Sequence, residues 1–400
     1  MARPCFSSVG PSLLRGSGPP AAGPAACPWR RCPGTGSRLA AAGGAPALES
    51  TPSAQEEKEL RVACQAVRLA ARLCQVVQQE LRLSEWEDKD DSSPVTVADY
   101  GAQAVVAWVL SKAGLHEGPL SLVAEEDSTS LKNSEGGAMR NRISQLVNEV
   151  LIDTPGAPVL TSDDIMDLID MGRSDGGSGT HWVLDPIDGT RGFVAMRQYS
   201  VCLGLLKEGQ VTVGALGCPN LPQTKVTDED GKPGAASRTL DADIGCLFTA
   251  TRGGGARDGP LWGSELPSHE LRVPDVDSIA SVQYMESFEK RHSNHELTAA
   301  LAEKLGIVRP VLRMDSQVKY GALSRGDAAL FMRFPPPDYR EKIWDHCAGS
   351  VIVEEAGAKI SDGSGRPLDF SQGRWLDLDR GIIAASPSLH ATVLQALNEL

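Results

Sequence analysis

Two aspartates three positions apart, Asp185 and Asp188, follow an apolar run and precede a glycine and a threonine in the stretch WVLDPIDGT. A strand that ends here, with a bend at Pro186, would place both carboxylates and the Ile187 carbonyl oxygen on one side of a sheet edge. Hard divalent cations such as Mg²⁺ prefer this combination of carboxylate and carbonyl oxygens. The motif alone is equally compatible with a turn in which the two aspartates accept backbone N–H bonds.

Two further acids lie where an apolar segment gives way to a polar one. Glu125 follows the apolar residues of SLVAEED, and Asp345 lies within KIWDHCAG. Taken singly, Glu125 would be a solvated strand end and Asp345 a helix N-cap. Together with the aspartates of DPID they supply four carboxylates, enough to hold two or three Mg²⁺ ions and to leave room for water and a phosphate group.

Longer stretches resemble the lithium-sensitive, magnesium-dependent phosphomonoesterases, the superfamily of inositol monophosphatase and fructose-1,6-bisphosphatase. These stretches are DKDDSSPVTVADYG, VAEED, WVLDPIDGTRGF and the run that begins at WDHCAG. Within the superfamily, further segments resemble the 3′(2′),5′-bisphosphate nucleotidases, and they are SPVTVADYG, GCPNLP, MESFEKRHSNH, DSQVKYG and EKIWDHCAG. The resemblance covers residues 55 to 398 nearly end to end.

The resemblance implies a magnesium centre. Its ligands would be Glu125, Asp185, Asp188, Asp345 and the Ile187 carbonyl oxygen. Asp99 and Thr190 would activate the attacking water, because the Thr190 hydroxyl takes a proton from that water and passes its own to Asp99. A bound cation makes this transfer easier by lowering the pKa of the water. An acid in the first turn of a helix, where the helix dipole favours it, is the structural alternative for Asp99.

The same resemblance implies substrate-binding residues. Those that would bind the adenosine 5′-phosphate half of a substrate are His292, Ser316, Lys319 and Arg333. Lys and Arg are natural partners of a phosphate that does not react, and Arg can bind it bidentately. Asp345 would also border the substrate, and the backbone N–H groups of Gly189 and Thr190 would meet the scissile phosphate.

The implied activity is removal of the 3′-phosphate of adenosine 3′,5′-bisphosphate, which leaves AMP. Members of this subfamily also act on 3′-phosphoadenylyl sulfate, and some act on inositol 1,4-bisphosphate. The partner would thus be a small phosphorylated nucleotide, the role would be in sulfate assimilation, and Li⁺ would inhibit. An inositol polyphosphate 1-phosphatase is the alternative enzyme, and a non-catalytic sensor of phosphoadenosine nucleotides is the alternative outside the enzymes.

The first fifty residues differ in composition from the rest. They contain five arginines, no lysine and a single acid, Glu49, and they are rich in Ala, Gly, Pro and Ser. Such a stretch buries too little apolar surface to fold. Its composition is typical of an organelle transit peptide, so we expect a chloroplast or mitochondrial location or both. A disordered tail on a cytoplasmic protein is the alternative.

Residues 51–400 contain 34 basic and 51 acidic residues, a net charge of −17. Because nucleic-acid binding needs clustered Lys and Arg, we expect no nucleic-acid partner. No apolar run approaches the ~18 residues of a membrane span, so we expect no membrane partner. The six cysteines of this region have no zinc-site spacing, and buried thiols are expected. A monomer and a homodimer are both compatible with the sequence.

Hydrophobic periodicity outlines the elements that must position these residues. Ser53 and Glu56 form a capping box ahead of a long amphipathic helix, and a second helix is predicted over 102–114. YSVCLGLLKEGQVTVGALGCP predicts a β-hairpin, and residues 252–268 predict a surface loop. Helices and strands mix without strict βαβ alternation, which favours a layered α+β architecture. The resemblance implies an αβαβα sandwich in two lobes, roughly 51–217 and 218–400.

Overall fold

The computed structural model describes residues 52–83, 94–115, 118–133, 136–226, 243–290 and 292–400. The predicted leader, residues 1–50, lies outside these ranges. Among the described residues, no helix combines the length and the apolar composition needed to cross a bilayer.

Four helices form the first layer of the fold. They are α1 (Ala54–Leu83), α2 (Pro94–Lys112), α3 (Gly137–Leu151) and α4 (Ser162–Asp170). The predicted capping box is confirmed at the start of α1, since the Glu56 carboxylate accepts the Ser53 N–H at 2.8 Å and the Glu56 N–H donates to the Ser53 hydroxyl at 3.3 Å. Alanine, valine and leucine side chains from this layer are buried against the first sheet.

The second helix begins earlier than predicted. It starts at Pro94 instead of near residue 102, because proline is favoured at the first helical position, where its missing N–H costs nothing. Asp99 therefore lies in the second turn of α2 and is buried, so its interpretation as a first-turn acid was wrong.

The first sheet has seven strands in chain order. They are β1 (Leu122–Ala124), β2 (Thr180–Asp188), β3 (Ser200–Lys207), β4 (Gln210–Pro222), β5 (Ile244–Thr251), β6 (Gly255–Pro260) and β7 (His269–Glu270). The first pair, β1 and β2, is parallel, and all later neighbours are antiparallel. The predicted hairpin is confirmed as β3 and β4, which turn through Glu208 and Gly209, both with positive φ.

One predicted loop contains a strand. Residues 252–268 were expected to form a loop, yet β6 pairs with β5 from Thr251↔Gly255 to Cys246↔Pro260. The sequence GARDGP has no apolar alternation, so local propensity does not favour a strand here. The neighbouring apolar strand β5 supplies the backbone partners instead, which is a tertiary effect.

The second sheet has five strands in the order β11-β12-β10-β8-β9. They are β8 (Tyr284–Ser287), β9 (Leu312–Met314), β10 (Leu330–Arg333), β11 (Lys359–Asp362) and β12 (Ile382–Ala385). The remaining helices are α5 (Thr190–Val194), α6 (His295–Leu305), α7 (Val318–Ser324), α8 (Cys347–Glu355) and α9 (Pro387–Asn398).

The layers alternate as predicted. Helices α1 and α2 pack on one face of the first sheet, α7 and α8 lie between the two sheets, and α6 and α9 cover the second sheet. The α+β, αβαβα sandwich is thereby confirmed. The six cysteines outside the leader are free and buried.

The predicted division into lobes corresponds only loosely to the two sheets. The boundary predicted near residue 217 falls inside β4, which continues to Pro222, and the first sheet extends to Glu270. The second sheet starts at Tyr284. The two-lobe division itself stays a prediction.

Candidate active site

A cavity of about 300 Å³ opens at the end of β2, where segments from both sheets meet. Every site residue predicted from the sequence lines this cavity except Asp99 and Lys319. The predicted residues that line it are Glu125, Asp185, Ile187, Asp188, Gly189, Thr190, His292, Ser316, Arg333 and Asp345. Acids from three distant parts of the chain therefore converge with cationic and polar groups in one place.

A bulge in β2 places its two aspartates on the same side. Asp185 pairs with Cys202 and Asp188 pairs with Ser200, so β2 has one more residue than β3 over this interval. Residues three apart in a regular strand point to opposite faces, and the extra residue removes that opposition. The Ile187 N–H donates to the Asp185 carboxylate at 3.1 Å, which fixes the bulge. Asp185, Ile187 and Asp188 all line the cavity as a result.

The carboxylates of the cavity repel one another. Burial raises the pKa of Asp185 well above its usual range, and the charges of Glu125 and Asp188 raise it further. Burial, then Glu341 and Asp188, act in the same direction on the pKa of Asp345. The pKa of Glu125 rises to about 7, through desolvation and then the charges of Glu126 and Asp188. Such a concentration of unpaired negative charge needs cations to be stable at neutral pH.

Asp188 is the best compensated of these acids. Its carboxylate accepts the backbone N–H of Gln317 at 2.5 Å. Burial raises its pKa to about 6, while the charge of Lys319, this hydrogen bond and Arg333 lower it. Asp188 therefore has more cationic and N–H donor groups around it than the other carboxylates of the cavity.

The donor set suits a hard divalent cation. The acidic residues Glu125, Asp185, Asp188 and Asp345 line the cavity together with Ile187. Oxygen donors of this kind favour Mg²⁺, Ca²⁺ or Mn²⁺ over softer metals. The residues present thus fit a divalent metal centre.

A tighter cluster lies next to this donor set. Within the described part of the chain, the group whose potential ligand atoms all lie within 4.8 Å of one another is Glu341, Asp345 and His346. Glu341 already accepts two hydrogen bonds from Arg333, and Nδ1 of His346 lies 2.8 Å from the Tyr320 hydroxyl. Because both side chains have other partners, we assign only Asp345 of this group to the cation side of the cavity. Asp345 lies in a 3-10 turn (Ile343–Asp345), and His346 occupies the N-cap position of α8.

The predicted water-activating pair is only partly assembled. Thr190 lines the cavity, and its hydroxyl donates to the Ile187 carbonyl oxygen at 3.3 Å. Asp99 is buried behind the acids, and burial followed by the charges of Glu126 and Glu125 raises its pKa well above the usual range. Over the residues that the structure describes, no hydrogen bond joins Asp99 to Thr190. The proton relay between them stays a prediction.

Lys319 lies beneath the cavity instead of in its wall. The side chain is 2 % exposed, and its ammonium group donates to the carbonyl oxygens of Met314 and Ser316 at 3.0 and 2.6 Å. Burial lowers its pKa to about 8, and the charge of Asp188 opposes this shift. Lys319 thus holds the turn that carries Ser316 and offsets the charge of Asp188. Its contact with a substrate phosphate stays a prediction.

Arg333 and His292 form the electropositive and polar side of the cavity. Arg333 is buried, and its Nη1 lies 3.4 Å from the Ser287 hydroxyl. Burial, followed by the charge of Arg333, lowers the pKa of His292 to about 4. His292 is therefore neutral at physiological pH, so the cavity's fixed positive charge on this side comes from Arg333.

The backbone at Gly189 and the backbone at Ser316 approach each other closely at the cavity. Gly189 has φ +89°, and a Cβ placed there would lie 2.9 Å from the Ser316 Cβ. Ser316 itself has φ +63° and accepts a hydrogen bond from the Ser200 hydroxyl at 3.0 Å. Only glycine permits this approach at position 189.

Several residues of the cavity wall were not predicted from the sequence. They are Arg191, Ser287, Glu289, Asp315, Tyr339, Lys342 and Trp344. Asp315 follows the short apolar strand β9, which is the same local signature that marked Asp185, and this signal could have found it. Its buried carboxylate pairs with Arg197 at 2.7 Å, so its charge is already compensated.

Arg374 joins the C-terminal part of the chain to the end of β1. Its guanidinium group donates to the carbonyl oxygens of Ala124 and Ser174, the latter at 2.8 Å, and also to Gly172 at 3.2 Å. Because Ala124 immediately precedes Glu125, this contact fixes the backbone from which that carboxylate projects.

Comparison with protein families gives one match over most of the chain. The model of the inositol monophosphatase family matches residues 59–400. The chain is 48% identical over 346 residues to the 3′(2′),5′-bisphosphate nucleotidase 1 of Arabidopsis thaliana, covering 86% of this chain and 96% of that protein. It is 46% identical over 343 residues to a 3′(2′),5′-bisphosphate nucleotidase of Oryza sativa, covering 85% of this chain and 94% of the relative.

Solved structures agree in fold. An inositol monophosphatase from Anabaena (Nostoc) sp. PCC 7120 has a TM-score of 0.51 at 20% identity, covering 86% of this chain and 96% of the other. A bacterial member of the inositol monophosphatase family from Bacteroides thetaiotaomicron has a TM-score of 0.52 at 17% identity, covering 83% and 98%.

Proposed function

The chain belongs to the inositol monophosphatase family, and we propose that it is a Mg²⁺-dependent phosphatase that removes the 3′-phosphate of adenosine 3′,5′-bisphosphate to give AMP. We extend the proposal to 3′-phosphoadenylyl sulfate as a second substrate, to a role in sulfate assimilation and to inhibition by Li⁺. The names of relatives 46–48% identical support the nucleotide substrate and do not favour an inositol polyphosphate 1-phosphatase. No observation favours a non-catalytic sensor.

One observation carries the proposal: four acidic residues, Ile187 and Thr190 line a single cavity together with Arg333. Phosphate-ester hydrolysis needs an activated water and positive charge near the ester oxygens. The carboxylates would hold two or three Mg²⁺ ions, which when bound supply both. Arg333 lies on the opposite, electropositive side, where a second phosphate of the substrate would bind.

The chain's own groups would then move one proton. Thr190 lines the cavity, and the 3.3 Å hydrogen bond from its hydroxyl to the Ile187 carbonyl oxygen is long enough to be exchanged for another partner. Burial and the charges of Glu126 and Glu125 raise the pKa of Asp99 well above its usual range, which favours acceptance of a proton by this carboxylate. Transfer from water through Thr190 to Asp99 requires the two side chains to approach each other.

The substrate assignment is tested by steady-state phosphate release from purified residues 51–400 in Mg²⁺, with and without Li⁺. Adenosine 3′,5′-bisphosphate, 3′-phosphoadenylyl sulfate and inositol 1,4-bisphosphate are compared. We expect the two nucleotides to be hydrolysed with the higher kcat/KM and Li⁺ to inhibit. Faster hydrolysis of inositol 1,4-bisphosphate, or tight nucleotide binding without phosphate release, would contradict the proposal.

A further inference from the structure

Glu341 is a buried acid next to the cavity, and its carboxylate contacts one cavity residue, Arg333. It is 2 % exposed, and its carboxylate accepts hydrogen bonds from Nε and Nη2 of Arg333 at 2.6 and 2.8 Å. His346 Nε2 lies 3.2 Å from the same carboxylate, and His346 Nδ1 lies 2.8 Å from the Tyr320 hydroxyl. A connected row of side chains thus runs from the interior to Arg333.

The pattern of these contacts determines which edge of the guanidinium remains available. Nε and Nη2 form the side edge of the group, and the carboxylate occupies it bidentately. The end edge consists of Nη1 and the second proton of Nη2. Its contact in the structure is the long 3.4 Å hydrogen bond from Nη1 to the Ser287 hydroxyl, and Ser287 lines the cavity. Arg333 therefore presents its end edge to the cavity.

We infer that Glu341 is a positioning residue that holds the end edge of Arg333 toward the phosphate of the substrate that is not hydrolysed. The inference rests on the proposed function and deepens it, because it makes Glu341 a determinant of specificity for substrates with two phosphates. Glu341 itself does not line the cavity, and its inferred effect on the substrate is exerted through Arg333.

A purely electrostatic role for Glu341 predicts the opposite behaviour. Its negative charge neutralises Arg333 and also raises the pKa of the nearby Asp345, after the larger effect of burial. If charge alone mattered, Glu341→Gln would strengthen phosphate binding. If orientation matters, the same change weakens binding, because the amide NH₂ group faces an Arg N–H and cannot accept from it.

The test compares Glu341→Gln, Arg333→Ala and the double variant on two substrates, adenosine 3′,5′-bisphosphate and adenosine 3′-monophosphate. We expect Glu341→Gln to raise KM for the bisphosphate about tenfold with a much smaller change in kcat, and to leave KM for the monophosphate within about twofold. The double variant should be no worse than Arg333→Ala, since the effects of residues that act through one another do not add.

Glu59→Gln is the matched control. Glu59 is also buried and forms an ion pair with Lys207 at 2.8 Å, yet it lies outside the cavity. A general loss of stability would affect both variants alike, whereas positioning affects only Glu341→Gln. Equal losses on the two substrates, or additive losses with Arg333→Ala, would overturn the inference.

Binding of AMP, measured by calorimetry in Mg²⁺, separates this inference from the proposed function. AMP carries only the phosphate that Arg333 would hold. We expect Glu341→Gln to weaken AMP binding about tenfold and Glu341→Asp to recover part of it, whether or not the wild-type protein hydrolyses the bisphosphate. Unchanged or tighter binding of AMP to Glu341→Gln would refute positioning, while absence of wild-type turnover would refute only the phosphatase assignment.

Discussion

The backbone N–H of Gln317 donates a 2.5 Å hydrogen bond to the Asp188 carboxylate. The side chain of the same residue donates to the Trp344 carbonyl oxygen at 2.7 Å and accepts the Gly349 N–H at 2.9 Å. Gln317 therefore fixes Asp188 and the segment that contains Asp345 at once. Two acids 157 positions apart in the sequence keep their relative placement through one residue of the α7 turn.

Removal of one cavity carboxylate should have opposite effects on activity and on the stability of the metal-free protein. We expect Asp185→Asn to reduce phosphate release at least a thousandfold, because a cation ligand is lost. In EDTA the same variant should be more stable by about 1–3 kcal/mol, since a buried, repelled charge is gone. Thermal unfolding with EDTA and with Mg²⁺ checks this. Asp153→Asn, an exposed change, is the control, and a less stable Asp185→Asn protein in EDTA would contradict the charge argument.

The stability of the metal-free protein should fall as pH rises. The pKa values of Asp188 and Glu125 are raised to about 6 and about 7, so the folded state binds more protons than the unfolded state, in which carboxyl pKa values are about 4. The resulting stabilisation is complete below about pH 4 and is lost as pH rises through about 6 to 7. In EDTA, the melting temperature of Asp188→Asn should exceed that of wild type more at pH 8 than at pH 5. If the difference in melting temperature between Asp188→Asn and wild type were the same at both pH values, titration of Asp188 would not be the cause.

Lys319 should affect metal dependence more than substrate affinity. Lys319→Met removes the charge that lowers the pKa of Asp188 and leaves two carbonyl oxygens without a partner. We expect a loss of about 1–3 kcal/mol in unfolding free energy and a several-fold higher half-saturating Mg²⁺ concentration. The pH at which activity rises should also move upward. Lys207→Met, which removes a lysine outside the cavity, is the control. If Lys319→Met changed only the KM for the nucleotide, Lys319 would contact the substrate phosphate directly.

Gly189 should tolerate no side chain. Gly189→Ala combines φ +89° with a 2.9 Å approach to the Ser316 Cβ, so the turn that carries Thr190 must shift. We expect kcat/KM to fall about a hundredfold, since a shift of about 1 Å at reacting groups has this effect. Gly306→Ala is the matched control, because Gly306 also has positive φ but nothing within 4 Å of its Cβ position. Equal activity losses in both variants would show that backbone strain alone is responsible.

Much of the fold and site could be predicted because local signals were strong. Ser53 with Glu56 predicted the start of α1, and the motif around Asp185 and Asp188 predicted a cation site at the end of a strand. The acids share a local signature, the change from apolar to polar sequence, that does not depend on distant contacts. Their convergence in one cavity was expected from the resemblance to a known family.

The errors arose where tertiary contacts override local preference. β6 forms from a glycine-rich stretch because β5 offers it an edge, and no periodicity reveals that. The burial of Lys319 is a similar tertiary effect, because the carbonyl oxygens of Met314 and Ser316 hold its ammonium group inside, and its contact with a substrate phosphate, which the resemblance implied, stays a prediction. The bulge that turns Asp188 toward Asp185 depends on pairing with β3, which the motif alone does not encode.

Arg374 and its contacts to the backbone beside Glu125 impose an order on biosynthesis. The two sides of the hydrogen bond to Ala124 are 250 residues apart, and a chain leaves the ribosome N-terminus first. The segment at the end of β1 is therefore synthesised early. Its hydrogen bond to Arg374 can form only after nearly the whole polypeptide has emerged. A nascent or prematurely terminated chain that lacks residue 374 would contain most of the acidic cavity residues but not the contact that fixes the backbone beside Glu125.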